Sequence, residues 1–410
     1  MQNRNHDGLK DTAFTRRAMM AGLAAGTSML AFGASPVRAQ AGKSIFDGAA
    51  GAPALGMNLT EEQRADGVAF LKRYPSIDVH AHPGRFFLRG LPQDAPAIRT
   101  FGQPFEQKAI ADLNAGNVSA ALFAAVADMQ VLEVTAKGIH AARAFKPGEA
   151  IADYERQIGD LRALTAHDGL GHANDVAGIY AAKRKHKTAA IYSVEGGDFI
   201  EDKLDRVHRA YTDGVRAITI VHYRVNQIGD IQTEAPVHNG LTALGKTIVR
   251  EMNKTGIIVD LAHATFDDTK DALEVSDKPV MISHTHLMTA ENKHPRLITG
   301  KHADIVADHG GLIGAVPSGI GQTSFGDYID SIMRLVDRVG VNHVAIGTDM
   351  DANYKPVFTS YRDWSLIPAA LLAKGLHAQD VEKIMGGNFI RIFRAALDTK
   401  RKTGPESGVR

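Results

Sequence analysis

The sequence predicts an α/β protein: a (β/α)8 barrel of the TIM type with a helical insertion between its second and third strands. Three observations predict it. Eight short β-branched or apolar runs, each bounded by turn signals, fall at 77–82, 120–126, 189–195, 217–223, 256–263, 279–284, 312–316 and 343–349. Amphipathic helical stretches separate them, and strands alternating with helices form a parallel sheet. Eight such units in about 370 residues match the size of a closed barrel with insertions.

In chain order, the first segment does not belong to this pattern. Thr15-Arg16-Arg17-Ala18-Met19-Met20 sets two adjacent arginines before an Ala- and Gly-rich run, Met19 to Ala34. That run is shorter and less apolar than the roughly 20 residues a transmembrane helix needs. Val37-Arg38-Ala39 then offers small residues where a signal peptidase reads. Residues 1–39 are expected to be a twin-arginine export signal, an address and not an anchor. Residues 40–410 are then the barrel domain, located in the periplasm, with no membrane span in the mature chain. The signal takes five of the 47 bases and two of the 46 acids with it, so the net charge moves from +1 to −2. Either value lacks the basic excess of a nucleic-acid binder, and no nucleic-acid partner is expected.

The barrel elements follow. Thr60-Glu61-Glu62-Gln63 is a capping-box pattern that opens the first helix. The first strand ends in His80-Ala81-His82, where a doubly wound nucleotide-binding sheet would carry a Gly-rich phosphate loop. The insertion, about 127–188, reads as mostly helical. The third strand ends Val194-Glu195-Gly196-Gly197, the fourth Val221-His222, the fifth Asp260-Leu261-Ala262-His263. The sixth ends Ser283-His284-Thr285-His286 and the eighth Gly347-Thr348-Asp349-Met350-Asp351. Helices are expected at about 201–213, 242–254, 265–276, 325–339 and 378–397, with Gly214 and Gly256 as stops. No interdomain linker interrupts the series.

Barrel enzymes take their active-site residues from the carboxyl ends of several strands. Six of the 18 histidines fall there, joined by Glu195 and Asp349. With no cysteine in the chain, disulfides, thiolate metal sites and cysteine nucleophiles are excluded, so a metal must rest on imidazole and carboxylate. His80 and His82, two apart on a strand, share a face and can chelate one ion. Five or six convergent ligands exceed what one tetrahedral ion needs, and the surplus points to two divalent ions, most simply zinc, about 3.5–4 Å apart. Glu195 is the natural bridge, because a carboxylate has two donor oxygens. His140, His167, His172, His186, His208, His343 and His377 read as structural or surface residues in helices or at strand starts.

The segments Val194-Glu195-Gly196-Gly197, His222, Asn239-Gly240-Leu241-Thr242, Asp260 to His263, Ser283-His284, His294-Pro295-Arg296, Ile346 to Asp351 and Gly386-Gly387-Asn388-Phe389, in this order, resemble the membrane dipeptidase (renal dipeptidase-like) metallopeptidases of the amidohydrolase superfamily. The resemblance covers about 60–397. It implies a dinuclear zinc dipeptidase that cleaves dipeptides, some with a D-residue at the carboxy-terminal position, through a metal-bridging hydroxide. Carried over by position, it implies one metal on His80, His82 and Glu195 and the other on Glu195, His263 and His284. His222 would polarise the scissile carbonyl, Asp349 would handle the hydroxide proton, and Arg296 would bind the carboxylate of a small peptide substrate. His286, on the same strand face as His284, is read as a further substrate contact. A homodimer is compatible with this reading.

The chain departs from the family pattern in places. His82 stands where the family usually has Asp, and a neutral ligand in place of an anionic one predicts a weaker hold on that metal or a different metal preference. Asp198 follows Gly197 where the family often has His, and Leu297 follows Arg296 where Asn is common. Two other functions compete. One is a dinuclear amidohydrolase acting on a lactone, phosphoester or non-peptide amide; many of these bridge their metals with a carboxylated Lys on strand 4, which ends here in His222 with no Lys. The other is a non-catalytic periplasmic binding protein, which predicts a missing ligand or a missing Asp349, and both are present.

Overall fold

A computed structural model describes residues 53–399, apart from 136, 137 and 168. The expected export signal, 1–39, lies outside the described residues. The eight expected strands are present: β1 (Ile77–Ala81), β2 (Ala120–Val126), β3 (Ala189–Glu195), β4 (Val215–Thr219), β5 (Ile258–Asp260), β6 (Met281–Thr285), β7 (Leu312–Ala315) and β8 (Val344–Ile346). Each pairs in parallel with the next, and β8 returns to β1, which closes the barrel.

Burial explains the strand sequences. All seven residues of β2, Ala-Ala-Leu-Phe-Ala-Ala-Val, are buried, since one face meets the barrel interior and the other meets helices. One apolar cluster draws residues from all eight strands, among them Val79, Leu122, Ile191, Ala217, Ile258, Met281, Leu312 and Ala345. A second cluster takes the alternate residues of the same strands, among them Phe123, Tyr192, Ile218, Ile282 and Ile346, and packs them against the helices, so the first cluster is the packed plug beneath the site.

Two irregularities re-aim side chains above that plug. The pairing of β1 with β2 shifts between Asp78 and Ala81, and that of β6 with β7 shifts beside Ser283. A bulge lets consecutive residues face the same way. His80 follows Val79, and His284 follows Ser283, into the barrel mouth.

β1 and β7 stop one residue short of the predicted ends, and three strands stop three or four residues short. β4, β5 and β8 stop at Thr219, Asp260 and Ile346, so His222, His263 and Asp349 stand on the loops that follow. Buried carboxylates take the backbone groups that longer strands would have paired. The amides of Ala262 and Ser283 donate to Asp260 Oδ1 at 3.1 and 2.9 Å, and the Thr348 amide donates to Asp78 Oδ1 at 2.9 Å.

The insertion is helical at Glu149–Thr165 and Val176–Arg184, as expected. It also carries an antiparallel hairpin, Leu132–Thr135 against Gly138–Ala141, which the helical reading did not foresee. His140 sits on that hairpin rather than in a helix, 2.9 Å from Glu133 Oε1. The capping box at Thr60 and Gln63 forms as read, and Gly214 and Gly256 take positive φ at their helix ends. The closing helix is interrupted by a π turn at Lys383–Gly387. Among the described residues, no helix is long and apolar enough to cross a membrane.

Candidate active site

The strand-end residues converge at the carboxyl mouth of the barrel. His80 and His82 bring their Nε2 atoms within 3.2 Å of each other. Those atoms lie 3.4 Å from Glu195 Oε1 and 3.3 Å from Glu195 Oε2. On the other side, His263 and His284 place their Nε2 atoms 3.0 Å apart, at 3.0 and 3.4 Å from Glu195 Oε1. Among the described residues, two groups therefore have metal-holding geometry: His80, His82 and Glu195, and Glu195, His263 and His284. Glu195 belongs to both.

The donor set fits divalent ions. Ligand bonds of about 2.0–2.1 Å at tetrahedral angles set donor atoms about 3.3 Å apart, and the observed separations are 3.0–3.4 Å. Protonation agrees. Burial, then the neighbouring Arg296, pushes the His263 imidazole well below its ordinary pKa. Burial, then His80, does the same to His284. Burial alone would raise the Glu195 carboxyl, but the charges of His222 and His80 hold it well below the usual carboxylate range. Neutral imidazole and ionised carboxylate are the states that bind metal. At His82 burial opposes a proton, yet Asp349 and Glu195 outweigh it and push the imidazole up to about 10. That is the mark of a spot where a cation is strongly favoured.

Each ligand is held by a second protein atom or by its backbone. His82 Nδ1 lies 2.8 Å from the Ala124 carbonyl. Ser283 Oγ lies 2.9 Å from His284 Nδ1 and 3.3 Å from His80 Nδ1. His263 and Asp349 adopt φ of 67° and 53°, a left-handed conformation costly for non-glycine residues and common at functional sites. The Asp349 amide donates to the His80 carbonyl at 2.9 Å, and its Oδ1 lies 3.3 Å from His82 Nε2.

His222 stands at the edge of the cluster, its Nε2 3.4 Å from Glu195 Oε2. Its Nδ1 is 2.7 Å from Asp128 Oδ1, and Asp128 is fully buried just past β2. Burial works against a charge on His222, but Asp128 and Glu195 overcome it and raise its pKa. Arg296 reaches the other side: its Nη2 lies 3.2 Å from His263 Nε2, and its Nη1 donates to Gln232 Oε1 at 2.8 Å. His286 lines the same pocket, but its Nε2 lies 2.9 Å from the Ile320 carbonyl, so the ring braces the 318–320 loop and does not join either metal group.

Most of these side chains, His82, Glu195, His222, His263, His284, Arg296 and Asp349 among them, line one pocket open to solvent. Phe87, Phe101, Met129, Leu132, Val134 and Ile139 give one apolar wall; Arg296, Ser318, Asn353 and Tyr354 are also in the lining. The sequence reading missed three parts of the site. Asp128 lies two residues beyond the end of β2, where the strand-end search would have found it had the second strand been included. Gln232 and the hairpin gave no local signal.

Over residues 64–407 the sequence matches the membrane dipeptidase family, peptidase family M19. It is 33% identical over 236 residues to Dipeptidase tcpJ of Claviceps purpurea, covering 55% of this chain and 54% of that protein, about half its length. It is 26% identical over 366 residues to Dipeptidase verJ of Clonostachys rogersoniana, covering 85% and 92%. In fold it resembles a metallopeptidase from Rhodobacter sphaeroides liganded with a phosphinate mimic of the dipeptide L-Ala-D-Ala, with a TM-score of 0.66 at 19% identity over 79% of this chain and 99% of that one. Because the family match runs through every barrel strand and both candidate metal groups, this chain belongs to the membrane dipeptidase family of metallopeptidases.

Proposed function

We propose that this protein is a dinuclear zinc dipeptidase that hydrolyses the peptide bond of dipeptides, including those with a D-residue at the carboxy-terminal position. The observation that carries this reading is Glu195, whose carboxylate lies within 3.0–3.4 Å of two separate pairs of imidazoles, in a pocket that also holds Arg296. The family membership and the names of the relatives support the substrate class.

In this reading His80, His82 and Glu195 hold one ion, and Glu195, His263 and His284 hold the other. When bound, the ions supply an activated water near neutral pH and polarise the scissile carbonyl. The chain's own residues do the rest. Asp349, beside His82 and partly open to the pocket, accepts the proton of the attacking water and delivers it to the leaving amine. His222, its pKa raised against burial by Asp128 and Glu195, stabilises the developing oxyanion from Nε2. Arg296, steadied by Gln232, pairs with the substrate carboxylate through its planar fork. His286 borders that end of the substrate and keeps the Ile320 loop in place. Residues 1–39 direct twin-arginine export, and the enzyme works in the periplasm.

The test is a panel. The metal-loaded protein is offered L,L- and L,D-dipeptides, with lactones and phosphotriesters as controls. Dipeptide hydrolysis that collapses in Asp349→Asn is the expected result. Turnover of a control substrate with no dipeptide hydrolysed would move the protein to another dinuclear amidohydrolase activity. Export is tested separately, by fusing residues 1–39 to a reporter and replacing Arg16-Arg17 with Lys-Lys.

A further inference from the structure

One imidazole from each metal group turns its far nitrogen to the same hydroxyl. We propose that Ser283 is a positioning residue for both ions at once, so that the two metal sites are coupled through a single oxygen. Ser283 lies at the irregular point of β6, fully buried, with its amide donating to Asp260 Oδ1 at 2.9 Å. Its Oγ is 2.9 Å from His284 Nδ1 and 3.3 Å from His80 Nδ1. The two rings lie against each other, centroids 4.0 Å apart and 31° from parallel.

The surrounding chain makes room for this arrangement. A Cβ at Gly314 of β7 would sit 1.8 Å from the Ser283 carbonyl oxygen, and one at Gly347, just past β8, would sit 1.9 Å from it. Glycine at both positions lets the Ser283 carbonyl pack directly against the backbone of β7 and of the chain just past β8.

Proton arithmetic gives the consequence. Both rings direct Nε2 at Glu195 Oε1, at 3.4 Å each. A neutral imidazole that ligates through Nε2 carries its proton on Nδ1. Each Nδ1–H then needs an acceptor, and a serine oxygen has two lone pairs. With both ions in place, Ser283 accepts from both rings. With none, its single O–H can donate to only one of them, so loading either site fixes the orientation of the group that serves the other. This rests on the dinuclear reading of the centre and not on the choice of substrate.

The experiment uses Ser283→Ala and measures binding of zinc and of cobalt by competition with a chelator. Long-range ¹H–¹⁵N spectra of the histidine side chains are recorded alongside. We expect the affinity for both ions to fall, each by roughly 10–100-fold, while thermal unfolding of the metal-free protein is unchanged. In the loaded wild type, His80 and His284 are both expected to carry the proton on Nδ1. Unchanged affinity, or a loss confined to one ion, overturns the proposal. So does an unprotonated Nδ1 on either ring of the loaded wild type, a measurement that needs no variant. A wild type that binds one ion only removes the dinuclear reading itself.

Discussion

The floor of the pocket and its rim are held in different ways. At the floor, His80, His82, His222 and His284 each touch a second protein group, namely Ser283, the Ala124 carbonyl, Asp128 and again Ser283. The surrounding backbone is pinned by buried Asp78 and Asp260. At the rim, the hairpin strands Leu132–Thr135 and Gly138–Ala141 pair with each other and are only partly buried. The loop between β4 and the helix Ala243–Thr255 is gathered around one carboxylate, Asp230, which accepts from the amides of Val237, His238 and Asn239. Val237 and Tyr354 stay 66% and 38% exposed there. On the proposed function, the chemistry would rest on groups the barrel itself fixes, and selectivity on insertions that a barrel tolerates at its carboxyl face.

That contrast can be broken most directly at Glu195. Glu195→Gln keeps the shape but removes the charge that both metal groups share. Both ions should be lost and turnover should fall by at least about a thousandfold. Metal analysis of the purified variant is the check, and two retained ions would sink the shared-bridge account. Next in size, Asp128→Asn leaves His222 in place without its counter-charge. We expect kcat to drop by about 10²–10³-fold with KM nearly unchanged, the cost of losing one oxyanion-stabilising donor. An equal loss in KM would place His222 in substrate binding instead.

Within the floor, both halves share Glu195 and each adds two imidazoles, but in the half built on His80 and His82 one imidazole, His82, stands where the family pattern has an anionic Asp. Graded chelation should remove one ion before the other, and Asp substituted at position 82 should retain the early-leaving ion longer. Two ions leaving together would contradict this. The smallest effect belongs to the rim. Val134→Ala and Ile139→Ala trim the apolar wall, and each lost methyl contact is worth roughly 1 kcal/mol. The ratio of kcat/KM between dipeptides with a bulky apolar side chain and glycine-containing ones should shift about 3–10-fold, while metal content stays the same. A fall in metal content in these variants would erase the division between rim and floor.

Most of the floor was legible before folding was considered. His80, His82, Glu195, His263 and His284 stand at the ends of apolar runs, and ligand type and spacing are local properties of a chain. The exact strand ends were not legible. The runs around His222, His263 and Asp349 read as strand, but Asp128, Asp260 and Asp78 take the amides of Tyr223, Ala262 and Thr348 that would have extended the sheet. The hairpin was read as part of a helical insertion, since 132–141 is too short for periodicity to separate helix from strand.

The sequence by itself determined the barrel class, the place of the site at the strand ends and the absence of thiolate chemistry. Period, turn residues and donor types are all written locally. Only the tertiary structure decided which groups meet. His222 finds Asp128 across 94 residues of chain, and Ser283 finds His80 across 203. Those encounters depend on closure of the barrel and on the bulges in β1 and β6. A one-residue shift in register turns a side chain from the helix layer to the pocket, and no local pattern in the chain records it.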